Sequence, residues 1–219
     1  MAPPRPTLRV VRSLTLPALR AITLRGDNAG ALPYHDPRVR ALVWELKYHA
    51  NPTASALAGE LVAEVLIGIA SEELGKPLLV PMPMHAARRR ERGHNQAELL
   101  CEAALRCMED PMEILPLVRS GPLGRSIHSL QEFPWGPFYY APNVLVRERA
   151  TPPQQGLAKH RRLTNVKNSM RAVYPERVRG RMCVVLDDVS TTGASLAEAR
   201  RALLAAGARE VECVALAHS

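Results

Sequence analysis

The sequence predicts an α/β fold with a central, mainly parallel sheet flanked by helices, and three observations predict it. The apolar run Cys183-Val184-Val185-Leu186 ends in two adjacent acids, Asp187 and Asp188, the pattern of a buried parallel strand with polar groups at its carboxyl end. A helical period follows at once: Leu196, Ala199, Leu203 and Leu204 share a face, and Gly207 stops it. Val211 to Ala217 reads as a further strand, completing a strand-loop-helix-strand unit.

From the start of the chain, Met1 to Gly26 carries five arginines and no acid, with Leu8, Val11, Leu14 and Leu19 loosely amphipathic. It lacks the continuous apolar stretch and small-residue cleavage site of a secretory signal. Residues 1–32 are therefore read as an appendage, partly helical and packed on the core. Asp36 to Tyr48 reads as a helix, with Val39, Leu42, Val43 and Leu46 at helical spacing and Asp36-Pro37 as cap and first position. Lys47 and His49 at its end either complement the helix dipole or reach an anionic ligand. Pro52 breaks the pattern, and Thr53 to Ala70 resumes it through Leu57, Leu61, Val65 and Ile69 as a core helix. No run approaches the ~18 apolar residues of a membrane span, so none is expected.

Leu78-Leu79-Val80 is a short buried strand, and Pro81, Met82, Pro83, Met84 and His85 form a second loop on the same rim as the acids. Arg88, Arg89, Arg90 and Arg92 follow, Gly93 permits a sharp turn, and Asn95 and Glu98 have capping-box spacing for the next helix. Residues 116–142 hold five prolines and no sustained period, and are read as an irregular inserted loop. Its Phe133 to Tyr140 aromatics either anchor the loop on the core or a second subunit, or stack nucleobases. Asn143 to Val146 reads as a strand, and Arg147 to Asn168 as a donor-rich segment with few apolar anchors.

The chemistry concentrates where the acids meet the small-residue loop. Ser190, Thr191, Thr192, Gly193, Ala194 and Ser195 combine hydroxyls, a glycine that lets backbone approach closely, and the first amides of a helix, which together suit a phosphate. Acid pairs at strand ends also occur in receiver domains and P-loop ATPases, but the chain has no G-x-x-x-x-G-K-[ST] and this loop no lysine. A sugar phosphate satisfies both halves of the pattern.

Composition sets the surroundings. The 219 residues, 47% hydrophobic and 23% charged, suffice for a full core. Only four of 29 cationic side chains are lysine, so the net charge of +8 is carried by arginine. That excess fits anionic partners, nucleic acid among them, and equally a GC-rich genome. Cys101, Cys107, Cys183 and Cys213 form no C-x-x-C pair, which points away from zinc and from a disulfide framework and toward a reducing cytoplasm, with Cys183 and Cys213 read as small buried residues.

Residues 183–195 resemble the signature of type I phosphoribosyltransferases, which bind 5-phosphoribosyl 1-pyrophosphate (PRPP). The chain is similar more narrowly to the ComF family over roughly residues 33–219, through Tyr34 to Asp36 with Val39-Arg40, Leu46-Lys47-Tyr48, Val80 to Pro83, Arg92 to Leu99, Thr151 to Gln154 and Arg161 to Val166. The resemblance implies a type I phosphoribosyltransferase-like fold over residues 33–219, with a mobile hood. It departs from the family in lacking an N-terminal four-cysteine zinc module, since residues 1–32 hold no cysteine. It implies that Asp187 and Asp188 hold the ribose hydroxyls and that residues 190–195 hold the 5-phosphate. Pyrophosphate falls to Pro81, Met82, His85, Arg88 and Arg92, and the hood and acceptor side to Gln154, Arg161, Arg162 and Asn165. Magnesium is expected to arrive with PRPP rather than on direct protein ligands. Three activities stay open: phosphoribosyl transfer to an unidentified acceptor, an accessory role in DNA uptake or recombination with single-stranded DNA or a competence protein as partner, and a PRPP-fold regulator without catalysis. An oligomer is compatible with each.

Overall fold

The computed structural model describes residues 6–7, 10–11, 13–23, 31–109, 136–149 and 166–219. In chain order its elements are α1 (Leu16–Thr23), β1 (Leu32–Pro33), α2 (Pro37–Tyr48), α3 (Pro52–Ser71), β2 (Leu78–Pro81), α4 (Ala86–Arg92), α5 (Gln96–Glu109) and β3 (Tyr139–Tyr140). There follow β4 (Leu145–Arg147), β5 (Met170–Ala172), α6 (Pro175–Val178), β6 (Met182–Ser190), α7 (Ala194–Ala205) and β7 (Glu210–His218).

Five strands form one all-parallel sheet in the order β1-β7-β6-β2-β3. Strand alternation divides its side chains between two cores. Leu79, Val184, Leu186 and Leu216 face a cluster built with α1, α2, α3 and α5. Leu78, Val80, Cys183, Val185 and Val211 face a second one built with α6, α7 and the separate antiparallel pair β4–β5. Helices therefore cover both faces of the sheet, as its continuously apolar central strands require.

Local signals explain most boundaries. Asp36 caps α2 by accepting the Arg38 N–H at 2.8 Å, with Pro37 in the first turn. Asn51 accepts from Thr53 and Ala54 at 3.0 and 3.3 Å, so Pro52 opens α3 rather than breaking a helix, because its missing N–H is one the first turn does not use. Gly93 ends α4 at φ +81°. Asn95 starts α5 by accepting the Ala97 N–H at 3.2 Å, but Glu98 is diverted from the capping box to a two-bond ion pair with Arg89, both distances 2.7 Å.

Three expectations need correction, and one helix bears on a fourth. Leu19 and Ile22 of α1 are buried in the common core, and Leu32 pairs with Ala217, so a boundary after residue 32 cuts through a strand of the sheet. Residues 139–140 are no part of an irregular loop: they form edge strand β3, with Phe138 and Tyr140 buried, which anchors this end of the aromatic block in the core. The 20-residue α3 is, by length and composition, the one helix among the described residues that could cross a membrane; here Ala54, Ala58, Val62 and Leu66 lie in the core. Cys213 is exposed, with its thiol directed to the Leu196 carbonyl at 3.6 Å, while Cys183 is buried; all four cysteines are free thiols.

The α3–α5 crossing is close because Gly59 has no side chain. A Cβ there would lie 2.7 Å from the Ala103 carbonyl carbon, a backbone atom that cannot swing aside. Gly59→Ala is expected to destabilise the protein by about 1–3 kcal/mol despite its better helix propensity, measured as the shift in urea midpoint at unchanged slope.

Candidate functional site

The carboxyl ends of β2 and β6 meet at one rim. Pairing of β2 with β6 runs from Leu78↔Cys183 to Pro81↔Leu186, and the Met82 N–H carries it one residue further by donating to the Leu186 carbonyl at 2.8 Å. The loop after β2 is thereby fastened beside the acid pair. Strand β6 continues to Ser190, past the acid pair where the apolar run stops, because Val189 and Ser190 still pair with Ala217 and His218 of β7. Both acids are thus strand residues, and alternation sends them to opposite faces.

Asp188 points to the α2–α5 side and is only 3% exposed. Lys47, from the last turn of α2, places its ammonium 2.8 Å from Oδ2 of Asp188. From the first turn of α5, Gln96 Nε2 donates to Oδ1 at 3.4 Å. Gln96 Oε1 in turn accepts from Arg92 at 3.3 Å, and the Arg92 guanidinium lies over the Tyr48 ring, 5.4 Å from its centroid. Burial opposes the charge on Asp188, but Lys47 and the hydrogen bonds outweigh it and hold the carboxyl below its ordinary value. Burial likewise opposes the charge on Lys47, and the Asp188 carboxylate outweighs it and raises the ammonium's pKa.

Asp187 stands on the other face, that of α7 and the small-residue loop. Its Oδ1 accepts the Asp188 N–H at 2.9 Å. Burial, and then the neighbouring Asp188 charge, push its carboxyl up to about 8. Arg147, at the end of β4, lies close enough for Asp187 to favour its charged form, while burial and the nearby Arg88 disfavour it. Arg147 Nη2 reaches Ser195 Oγ at 3.5 Å. The β4–β5 pair that carries Arg147 is fixed to α7 by Glu198, which accepts from the Met170 N–H at 3.3 Å and pairs with Arg201 at 2.8 Å.

The loop between β6 and α7 is three residues long. Gly193 sits in the left-handed region at φ +71° with open space at its Cβ position, so it is the backbone turn, not crowding, that calls for glycine. Thr192 Oγ1 accepts the Ala194 N–H at 3.4 Å, and the first-turn amides of α7 have no intrahelical acceptors. Ser190 and Ala194 are buried, Thr191 is exposed, and Thr192 and Ser195 are half-buried at the mouth.

Of the residues singled out for pyrophosphate, Pro81 and Met82 are buried at the end of β2, and His85 caps α4 by accepting the Ala87 N–H at 3.2 Å. Arg88 belongs to the Asp187 side through its proximity to Arg147, and Arg92 to the Asp188 side through Gln96. Gln154, Arg161, Arg162 and Asn165 lie outside the described residues. Sequence reasoning missed Gln96 and Arg147 and left Lys47 undecided. The signal for Lys47 was that it directly follows Leu46 on the buried stripe of α2; Arg147 gave none beyond its place after a short apolar run.

The two carboxyls titrate in opposite senses. The folded pKa of Asp187 lies above the ordinary 3.8, so the native state holds a proton that the unfolded chain has released; this contribution is full below pH 3.8 and lost as the pH climbs to about 8. Asp187→Asn is therefore expected to gain on the wild type between about pH 5 and about pH 8.5, by at least about 3 °C in melting temperature. Asp188→Asn leaves Lys47 without its counter-charge and is expected to cost on the order of 3 kcal/mol at neutral pH in chemical denaturation.

Comparison with known proteins agrees with this arrangement. A phosphoribosyl transferase domain model matches residues 142–219, the part that carries the acid pair and the loop. The DNA utilization protein YhgH of Escherichia coli K12 is 32% identical over 178 residues, 80% of this chain and 65% of that protein. Its Salmonella typhi counterpart is 32% identical over 182 residues, 81% and 66% of the two chains. Competence protein F of Haemophilus influenzae is 28% identical over 142 residues, 64% of this chain and 50% of that one. The chain thus spans about two thirds of the length of these first relatives. Parallel sheet, acid pair, phosphate-type loop and these similarities together assign the chain to the ComF family of phosphoribosyltransferase-like proteins.

Proposed function

We propose that the protein binds PRPP at the rim formed by β2, β6 and the β6–α7 loop, and that it transfers the phosphoribosyl group to an acceptor with release of pyrophosphate. The observation that carries this reading is the placement of Asp187 and Asp188 at the carboxyl end of a central parallel strand, one short turn before the N-terminus of α7. A second feature supports it. Arg88 and Arg147 repel one another beside Ser195, and an anion lodged between them and the first amides of α7 would relieve that repulsion.

In this reading the ribose hydroxyls meet the acid pair, the 5-phosphate takes the 191–195 loop, and pyrophosphate lies along Met82 to Arg92. Transfer forms a bond from an acceptor nucleophile to ribose C1 while the C1–O bond to pyrophosphate breaks and its electron pair leaves with the pyrophosphate. The protein's part is electrostatic: a carboxylate beside the ribose favours positive charge growing on the ring, and arginines favour the departing anion. Among the described residues no three His, Cys, Asp or Glu side chains cluster as a metal site, and Asp188 is engaged by Lys47. That donor set suits magnesium carried on PRPP oxygens and waters, where it would supply charge neutralisation of the pyrophosphate. The segment 150–165, with Gln154, Arg161, Arg162 and Asn165, enters the proposal as the hood and acceptor side. A reducing cytoplasm is the setting proposed for the four free thiols.

A second reading rests on the relatives' names, DNA utilization protein and competence protein: a PRPP-binding accessory factor that engages single-stranded DNA through its arginines without catalysis. Calorimetric titration of PRPP with magnesium tests the site. Wild-type protein is expected to bind, and Asp187→Asn to bind at least about tenfold more weakly, a loss of about 1.4 kcal/mol. Folded wild-type protein that takes up no PRPP overturns the proposal. PRPP binding without turnover for any base or amine, alongside DNA affinity that falls steeply with salt, selects the second reading.

A further inference from the structure

We propose that Lys47 is a positioning residue of the site, clamping Asp188 so that the acid pair meets its ligand as one fixed unit in which Asp187 is the carboxyl on the phosphate side. The inference rests on the phosphoribosyl reading above and says how the pair is divided.

The geometry behind it is the split of two sequence neighbours between two faces of the sheet. Asp188 is enclosed on every side by this chain: Lys47 Nζ of α2 at 2.8 Å, Gln96 Nε2 of α5 at 3.4 Å, and its own backbone N–H bonded to Asp187. Lys47 also feels the charge of Asp187, while Arg147 of β4 is drawn to Asp187 and repelled by Arg88. Neither α2 nor α5 reaches the β6–α7 loop through these contacts; they fasten one acid and leave the other on the face where Ser195 and Arg147 meet. A lysine with its side chain 22% exposed, paired with a carboxylate that is 5% exposed, is not a solvated surface bridge. The Arg92–Gln96–Asp188 chain makes the clamp part of a network, with the Arg92 guanidinium braced on Tyr48. A ligand that needs one oriented carboxyl group then finds it already placed, without two like charges having to be brought together at the moment of binding.

A lysine acting through Asp188 and a lysine touching pyrophosphate predict different losses. The test uses full-length wild type, Lys47→Met and Lys47→Arg, each checked for native near-UV circular dichroism. Ribose 5-phosphate and inorganic pyrophosphate are titrated as separate competitors of magnesium-PRPP. Lys47→Met is expected to weaken ribose 5-phosphate at least about tenfold and to leave pyrophosphate within about twofold, with Lys47→Arg recovering most of the loss. A loss confined to pyrophosphate makes Lys47 a direct anion contact and overturns the clamp. Wild-type affinity for both competitors in Lys47→Met also overturns it, with the phosphoribosyl reading intact. Should Lys47→Met not fold, Lys47→Gln, which keeps a hydrogen-bond donor toward Asp188 and removes the ammonium, takes its place under the same expectations. Wild-type protein that binds no PRPP overturns the phosphoribosyl reading and the clamp with it, an outcome distinct from each of the others.

Discussion

The double-sided pairing of β6 is the constraint on which the rest depends. Its apolar half is bonded to β2 on one edge and β7 on the other, with Val184, Val185 and Leu186 fully buried. A strand fixed on both edges and packed on both faces cannot slip register, since a shift of one residue would send every core side chain to the wrong face. Everything chemical in the molecule is then placed by counting from that strand. Residue 187 must face α7 and residue 188 must face α2 and α5, and the Met82–Leu186 bond sets the neighbouring loop at the same height. The site is a consequence of sheet register more than of any loop's own conformation.

Electrostatics follows from that placement. Two carboxyls in adjacent positions near a low-dielectric rim resist a second negative charge, and the structure resolves the conflict unevenly. Lys47 and Gln96 take Asp188 and keep it ionised, while burial and the Asp188 charge keep the proton on Asp187 well above the ordinary range. The ligand-free pair therefore carries about one negative charge, matched by one ammonium, and a ligand bringing positive character to Asp187 can draw out the second. The arginines complement this on the outer side. Arg89 is spent on Glu98 and joins α4 to α5, whereas Arg88 and Arg147, which repel one another, have no such ion pair among the described residues. Of the four arginines within five residues, Arg89 is thus structural, Arg92 networked, and Arg88 the one that bears on the rim.

The sequence made the large features legible and the cross-chain ones not. Apolar runs ending in acids, the Gly193 turn, the period of α7 and the Asp36-Pro37 cap are local patterns, and each appears where its residues put it. The reading stumbled where partners distant in sequence decide the outcome. Strand β6 runs past Asp187 because β7 has residues to pair with it, and Tyr139–Tyr140 is a strand because β2 offers a free edge. Pro52 looked like a break because the helical period on either side is similar, and Asn51 shows it to be a start. In the site, the acids and the loop are contiguous and could be read directly. Lys47 and Gln96 come from 141 and 92 positions upstream of Asp188, and no periodicity announces that they converge there.

That convergence also divides what the fold shares from what is particular to this chain. The domain match covers residues 142–219, which supply Arg147, the acid pair and the phosphate-type loop, the parts any sugar-phosphate site of this architecture needs. Lys47, Arg92 and Gln96 lie outside that match, and the similarity to the DNA utilization relative, over 80% of the chain, extends upstream of it. Since one fold serves many activities, it is this upstream half that must distinguish the family's chemistry from that of other phosphoribosyl proteins. Here it dictates how one carboxyl of the pair is held, and in the proposed reading a change there alters the ribose side of the site without touching the loop assigned to phosphate.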